Sequence, residues 1–281
     1  MKPGQESQTS VLVCADRAVA HQTAQVPRFS DPTALALLPE DKRQEVERFL
    51  AAPEPTGLKA RMGRALQLAR GHMMGARTVE IDEAVRQAGH PQLVILGAGL
   101  DGRAWRMGEL RDTVVFEVDH PDTQRAKRAR ADKLTPVARE VRFVPVDFTR
   151  DKLEEALRAA GHDADRPTTW IWEGVVMYLT RDQIAATLEV LARRSAVGSR
   201  LIIAYHRPAL ILNLLSGWVR RLGEPLRSSF TAPAMRSLLA RFGFSVVRDE
   251  DLGTIGTELA PEVGEATRSM RHLRIVTADR R

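Results

Sequence analysis

Val94-Ile95-Leu96-Gly97-Ala98-Gly99-Leu100-Asp101-Gly102-Arg103, followed by Val115-Phe116-Glu117-Val118-Asp119, is the stretch whose reading decides the fold. An apolar run ending in closely spaced glycines reads as a buried parallel strand that turns sharply into a ligand loop. Glycine accepts backbone angles other residues avoid and leaves no Cβ between the chain and a ligand. Asp119 closes the next strand about 20 residues on, where an acid accepts hydrogen bonds from ribose hydroxyls. Together they describe one βαβ unit built for a nucleoside-type cofactor.

Which cofactor is decided by charge. Gly97-Ala98-Gly99-Leu100-Asp101-Gly102 matches the G-x-G-x-x-G of a nicotinamide or flavin dehydrogenase. Such an enzyme presents a doubly charged pyrophosphate to this turn, and the Asp101 carboxylate would repel it. S-adenosylmethionine has no phosphate; its sulfonium and amino groups are cationic and tolerate or favour acids. Further acids follow later strands: Asp147 after Val141–Val146, and Glu173 after Trp170-Ile171-Trp172. The residues therefore favour a methyltransferase, with a dehydrogenase as the alternative.

Outward from this unit, strands and helices alternate: strand 113–118, helix 122–134, strand 141–146, helix 151–160, strand 169–172, helix 181–195 and strand 200–205. That alternation specifies a parallel sheet with helices on both faces. Leu238–Val247 reads as helix, glycine turn and strand, and Leu273–Thr277 as a last strand. The expected fold is the α/β, Rossmann-like sheet of class I methyltransferases, five parallel strands plus a C-terminal antiparallel hairpin, over residues 76–281. Residues 1–75 are expected to form an N-terminal helical cap that does not fold independently. In it residues 1–9 read as polar and disordered, 11–25 as a helix, and 28–32 as a turn before a short helix through Leu38. Leu58, Met62, Leu66, Ala69 and Met73 recur at helical spacing and predict an amphipathic helix ending at Gly75, its methionines in the core. A second helix is expected over 77–88. An apolar insertion, residues 207–229, falls just after a strand end and reads as a lid over the substrate pocket, or alternatively as a dimer contact.

At 281 residues the chain suits one large α/β domain. A single cysteine, Cys14, excludes an intrachain disulfide, and no run has the length of a membrane span or the plan of a signal peptide, so a cytoplasmic protein is expected. The net charge of +6 reads as an arginine-rich solvated surface; with no recognisable binding module, no nucleic-acid or membrane partner is expected. The seven histidines and Cys14 lack zinc-ligand spacing, so no metal is expected.

The motifs Gly97-Ala98-Gly99-Leu100-Asp101-x-Arg103, Phe116-Glu117-Val118-Asp119-x-Pro121, Val146-Asp147-Phe148 and Glu173-Gly174-Val175-Val176-Met177-Tyr178-Leu179 resemble, in order and spacing, the leucine carboxyl methyltransferase family. The likeness runs from about Gly75 to Leu179 and more weakly to Met270-Arg271-His272; Gly102 and Trp105 depart from the residues commonest in bacterial relatives, Thr and Tyr. The resemblance implies S-adenosyl-L-methionine as cofactor. By motif position Gly97, Ala98 and Gly99 pass under its methionine part, Asp119 takes the ribose, Asp147 the adenine amino group with Phe148 beside the ring, and Glu173 the amino or sulfonium side. Arg77 matches a family arginine that pairs with the cofactor carboxylate. Asp101 either contacts the cofactor or caps the helix starting near Arg103; the alternative for Asp119 is likewise a helix cap, and for Arg77 a surface residue. Tyr205 matches a family tyrosine near the acceptor carboxylate and Tyr178 is a second candidate, unless either is a core residue satisfied by its neighbours. The resemblance implies methyl-ester formation on a carboxylic acid but does not carry over the acceptor; the short apolar insertion suits a small, natural-product-like acid. A carboxylate with pKa near ~4 is already ionised at neutral pH and needs no base. The alternatives are methylation of a hydroxyl with His206 as base, and a cofactor-binding partner protein without turnover.

Overall fold

A computed structural model of the protein describes residues 6–23, 26–148, 150–208 and 226–281. Its elements in chain order are α1 (Gln8–Thr23), α2 (Ala34–Leu37), α3 (Glu40–Ala51), α4 (Leu58–Ala88), β1 (Gln92–Leu96), α5 (Arg103–Arg106), β2 (Val114–Asp119), α6 (Pro121–Ala131), β3 (Glu140–Pro145), α7 (Leu153–Ala159), β4 (Thr168–Trp172), α8 (Arg181–Arg193), β5 (Arg200–His206), α9 (Ala232–Arg241), β6 (Phe244–Asp251), α10 (Leu252–Leu259), α11 (Pro261–Thr267) and β7 (Leu273–Arg280).

The strands form one seven-stranded sheet in the order β3-β2-β1-β4-β5-β7-β6. β1 pairs in parallel with β2 and β4, and β7 lies antiparallel between β5 and β6. This is the expected class I architecture. β1 and β4 are buried along their whole length, as central strands covered on both faces must be. Alternate residues feed two cores. Leu93, Ile95, Ile171, Ile202 and Ile275 face α1, α4, α10 and α11, whereas Val94, Leu96, Trp170, Trp172, Ile203 and Tyr205 face α7, α8 and α9. The strand order reverses between β1 and β4, which leaves a cleft at their carboxyl ends.

Local chemistry sets the element ends. Thr180 and Gln183 form a reciprocal capping box at the start of α8. Pro121 occupies the first turn of α6, where its missing N–H costs nothing, and Gly89 ends α4 in the left-handed region at φ 58°.

Several sequence expectations change. The helix expected to end at Gly75 runs on as a single 31-residue helix, α4, so a boundary at residue 75 falls inside a helix. Gly75 keeps helical geometry and makes room: a Cβ there would lie 2.8 Å from Val26 Cγ2. One continuous core joins α1, α4 and the sheet. Leu58, Met62 and Leu66 are 76%, 65% and 61% exposed, so this part of the apolar stripe is not core. α4 packs instead through the opposite side, where Leu68 meets the core and Gly71 meets Ala20 of α1. Helix α1 begins at Gln8, within the stretch expected to be disordered, and Glu6 pairs with Arg130. Helices α3, α10 and α11 have no counterpart in the sequence reading. Residues 209–225, most of the insertion read as a lid or dimer contact, lie outside the described residues. Among the described residues no helix is long and apolar enough to cross a membrane.

Candidate active site

The carboxyl ends of β1, β2, β3 and β4 surround a cavity of about 290 Å³. Gly97, Ala98 and Asp101 contribute from the loop after β1, Asp119 and His120 from the end of β2, Asp147 and Phe148 from the turn after β3, and Glu173 and Tyr178 from the segment after β4. Arg77 reaches in from α4. Ser7, Ser10, Val13 and Arg17 close the cavity from the side of α1.

The glycine loop is folded back over β2: the N–H groups of Gly97 and Ala98 both donate to the Val118 carbonyl, at 2.8 and 3.0 Å. Gly97 and Gly99 take φ values of 68° and 49°, a region L side chains rarely adopt. A Cβ on Gly97 would run into Val175, and one on Gly99 would sit 2.8 Å from Ser10 Cβ. Gly99 is not in the cavity wall itself; its N–H donates to Asp119 Oδ2. The other oxygen of Asp119 accepts from His120 N–H at 2.6 Å. The carboxylate is thus oriented by backbone and keeps lone pairs for a ligand. Burial raises its pKa, against the hydrogen bonds from Gly99 and His120.

Beside the loop lies a buried ion network. Arg77 Nη2 meets Glu173 Oε1 at 2.6 Å, and Arg103 Nη1 meets Glu173 Oε2 at 3.2 Å. Arg103 also bonds Asp82 at 2.7 Å and Asp101; Arg106 joins Asp82 at 2.6 Å and Asp31 at 3.7 Å; Arg17 joins Asp31 at 2.9 Å. Four arginines thereby face four acids, the condition under which buried charge is tolerated. Burial pushes the Asp101 carboxyl up, but Arg103, Lys127 and Arg17 outweigh it and hold it at about 2. Glu173 is likewise lowered by Arg77 and Arg103 against the effect of burial. Asp101 both caps α5, accepting from Arg103 N–H at 2.8 Å, and lines the cavity. Arg77 Nε is buried and bonds nothing.

Of the residues singled out from sequence, Arg77, Gly97, Ala98, Asp101, Asp119, Asp147, Phe148, Glu173 and Tyr178 meet at this one cavity. Tyr205 does not. It is fully buried on the α7–α9 side of the sheet, and its hydroxyl donates to Asp249 at 2.8 and 3.0 Å, where Arg274 Nε also donates at 2.8 Å. Burial and Asp249 raise its pKa. The sequence reading placed Tyr205 near the acceptor; the structure instead places its side chain away from this cavity, bonded to Asp249. His206 is also outside the cavity wall, stacked on His272 with ring centroids 5.4 Å apart. Burial, His272 and Arg77 push its pKa down to about 4, which makes it a poor proton acceptor at neutral pH. The helix expected over 11–25 forms as α1, but sequence reasoning missed that it walls the cavity. The available signal was Arg17 inside the apolar run Val11 to Ala20: a charge among buried neighbours needs a partner, and it finds Asp31 and, at 2.5 Å, the Leu100 carbonyl of the cofactor loop.

The chemistry of this wall suits S-adenosylmethionine: acids for cationic and hydroxyl groups, an aromatic ring, and an unpaired buried guanidinium nitrogen for a carboxylate. Residues 10–192 match the family described as leucine carboxyl methyltransferase. The chain belongs to the leucine carboxyl methyltransferase family. A Mycobacterium sp. (strain JLS) protein provisionally named an S-adenosyl-L-methionine-dependent methyltransferase is 35% identical over 202 residues, 72% of this chain and 66% of its own length. The chain thus spans about two thirds of such curated relatives. Among solved structures, a DUF574 family protein from Streptomyces avermitilis superposes with a TM-score of 0.63 at 11% identity, over 98% of both chains. Magnesium protoporphyrin IX methyltransferase from Synechocystis PCC 6803, solved with bound S-adenosylhomocysteine, gives 0.51 at 14% identity over 86% of this chain and 95% of its own. At such identities these two share the fold. With relatives of this similarity named S-adenosyl-L-methionine-dependent methyltransferases, the cofactor is S-adenosyl-L-methionine.

Proposed function

We propose that the protein transfers the methyl group of S-adenosylmethionine to the carboxylate of a small organic acid, giving a methyl ester. The observation that carries this reading is the state of the acid after β4. Glu173 is locked between Arg77 and Arg103 with its pKa lowered, so it is a poor base, while Arg77 Nε remains for an anion.

When bound, the cofactor supplies an electrophilic methyl on a cationic sulfur. The chain's task is to hold the groups in line and exclude water. In this reading the backbone at Gly97, Ala98 and Gly99 approaches the methionine part, Asp119 holds the ribose hydroxyls, and Asp147 with Phe148 holds the adenine. Asp101 and Glu173 face the cationic end, Arg77 takes a carboxylate, and Tyr178 orients the acceptor. A carboxylate acceptor would arrive already ionised, so the chain would only have to hold it in line with the methyl and no residue would have to accept a proton. His206 as the base of a hydroxyl methyltransferase finds no support at its low pKa.

Incubating the protein with S-adenosylmethionine and a carboxylic acid library tests the proposal. The expected product releases methanol in mild alkali, and its rate shows no base pKa near neutrality above about pH 5. An alkali-stable product would mean hydroxyl methylation; cofactor binding without turnover on any acid would favour the non-catalytic partner.

A further inference from the structure

Residues 226–230, which lead into α9, join the turn after β4 to the end of β5. The N–H groups of Arg227 and Ser228 both donate to the Met177 carbonyl, at 2.7 and 3.2 Å, and the Ser228 hydroxyl donates to the Val176 carbonyl at 2.8 Å. The next residue, Tyr178, stands in the cavity wall. It closes a short 3-10 turn, Val176–Tyr178, in which its own N–H donates to the Val175 carbonyl at 2.9 Å and the Leu179 N–H to that of Val176 at 3.1 Å. Residues 226–230 are held at their other end as well. Phe230 N–H donates to the His206 carbonyl at 2.9 Å, and its ring is buried in the same core as Val176, with the Arg181 guanidinium 4.9 Å from its centroid.

A single 3-10 turn has poorer internal hydrogen bonds than an α-helix and is set by what it is bonded to. Here the outside donors come from residues 227 and 228. The two backbone donors do not depend on side-chain identity, whereas the hydroxyl does, so Ser228 is the position at which sequence decides how firmly the turn is held. Resting on the methyl-ester reading above, in which Tyr178 orients the acceptor, we infer that Ser228 is a positioning residue: through the Val176 carbonyl it fixes the backbone that carries Tyr178, and with it the acceptor side of the cavity. The turn it holds contains neither Asp119 nor Asp147, so its effect falls on the acceptor and not on the ribose or adenine contacts.

The chain has two tyrosines, Tyr178 and Tyr205, so 3-fluorotyrosine labelling gives two fluorine resonances, assigned with Tyr178→Phe and Tyr205→Phe. The probe is S-adenosylhomocysteine. In its complex with Ser228→Ala the Tyr178 resonance should shift or broaden, while that of Tyr205, bonded to Asp249 away from the cavity, should stay at its parent position and report an intact fold. Ser228→Thr keeps the hydroxyl and should restore the parent signal. Affinity for S-adenosylhomocysteine should stay within about twofold in both variants. With S-adenosylmethionine and an acid that the library shows to be methylated, Ser228→Ala should lower kcat/KM for the acid about three- to tenfold, with KM for S-adenosylmethionine little changed. If Ser228→Ala does not fold, Ser228→Val set against Ser228→Thr makes the same comparison at equal side-chain shape. Identical Tyr178 resonances in the parent and Ser228→Ala complexes would overturn the inference. So would loss of S-adenosylhomocysteine binding in Ser228→Ala with the Tyr205 signal unmoved, because the hydroxyl would then act on the cofactor. No turnover of any acid by the parent protein would sink the methyl-ester reading alone, since the fluorine comparison requires no acceptor.

Discussion

At the scale of residues, the cavity is shaped by a few positions with fixed partners. Asp119 is held by Gly99 and His120 N–H groups, so Asp119→Ala removes an oriented acceptor without disturbing the strand; calorimetry should show S-adenosylmethionine binding weaker by about 1 to 3 kcal/mol. The glycines, Asp119, Asp147 and Glu173 were legible because they stand at strand ends, where chain order alone fixes their edge of the sheet. Tyr205 was not. Its position at the end of β5 was read correctly, but the face it occupies depends on which layer covers the strand. Tyr205→Phe should therefore cost about 1 kcal/mol of stability in urea unfolding, by removing the bond to Asp249, and leave cofactor affinity unchanged. A loss of cofactor affinity would restore Tyr205 to the site.

Among the elements, α4 shows how periodicity misleads. A stripe at helical spacing says that one side of a helix is apolar, not that anything covers it. Met62→Gln on the exposed side should change stability by less than about 0.5 kcal/mol, whereas Met74→Ala, at a buried position of the same helix, should cost about 2 to 5 kcal/mol. The pairing of equilibrium unfolding curves decides it. Between α7 and β4, His162 is packed by Phe116 and Trp170; its Nδ1 accepts from Arg194 at 3.1 Å, so the Nε2–H donates to Thr168 at 3.1 Å and the ring is neutral. Burial and Arg194 lower its pKa to about 4, below the unfolded value near about 6.5. A depressed histidine stabilises the fold above the unfolded pKa, and that contribution is lost as pH falls from about 6.5 towards 4. The urea midpoint should thus drop more between about pH 7 and 5 in the parent than in His162→Phe, which cannot titrate; parallel slopes would contradict this assignment.

For the whole molecule, the ion network beneath the cofactor loop ties α1, α4, α5 and the β4 end into one body. Arg103→Leu would leave Asp82, Asp101 and Glu173 facing each other with one cation fewer, and should cost about 3 to 5 kcal/mol in urea unfolding; a cost under about 1 kcal/mol would show that the network is not structural. The alternation of strands and helices, the glycine turn and the acids at strand ends were determined by sequence alone, because each follows from residues near one another in the chain. The faces that side chains present, the exposure of Met62, the diversion of Tyr205 to Asp249 and the meeting of Arg17, Asp31, Asp82, Arg103 and Glu173 were decided only by tertiary structure. Those partners are far apart in sequence, and they become neighbours only when the sheet sets β4 beside β1 and α1 and α4 close over the same edge.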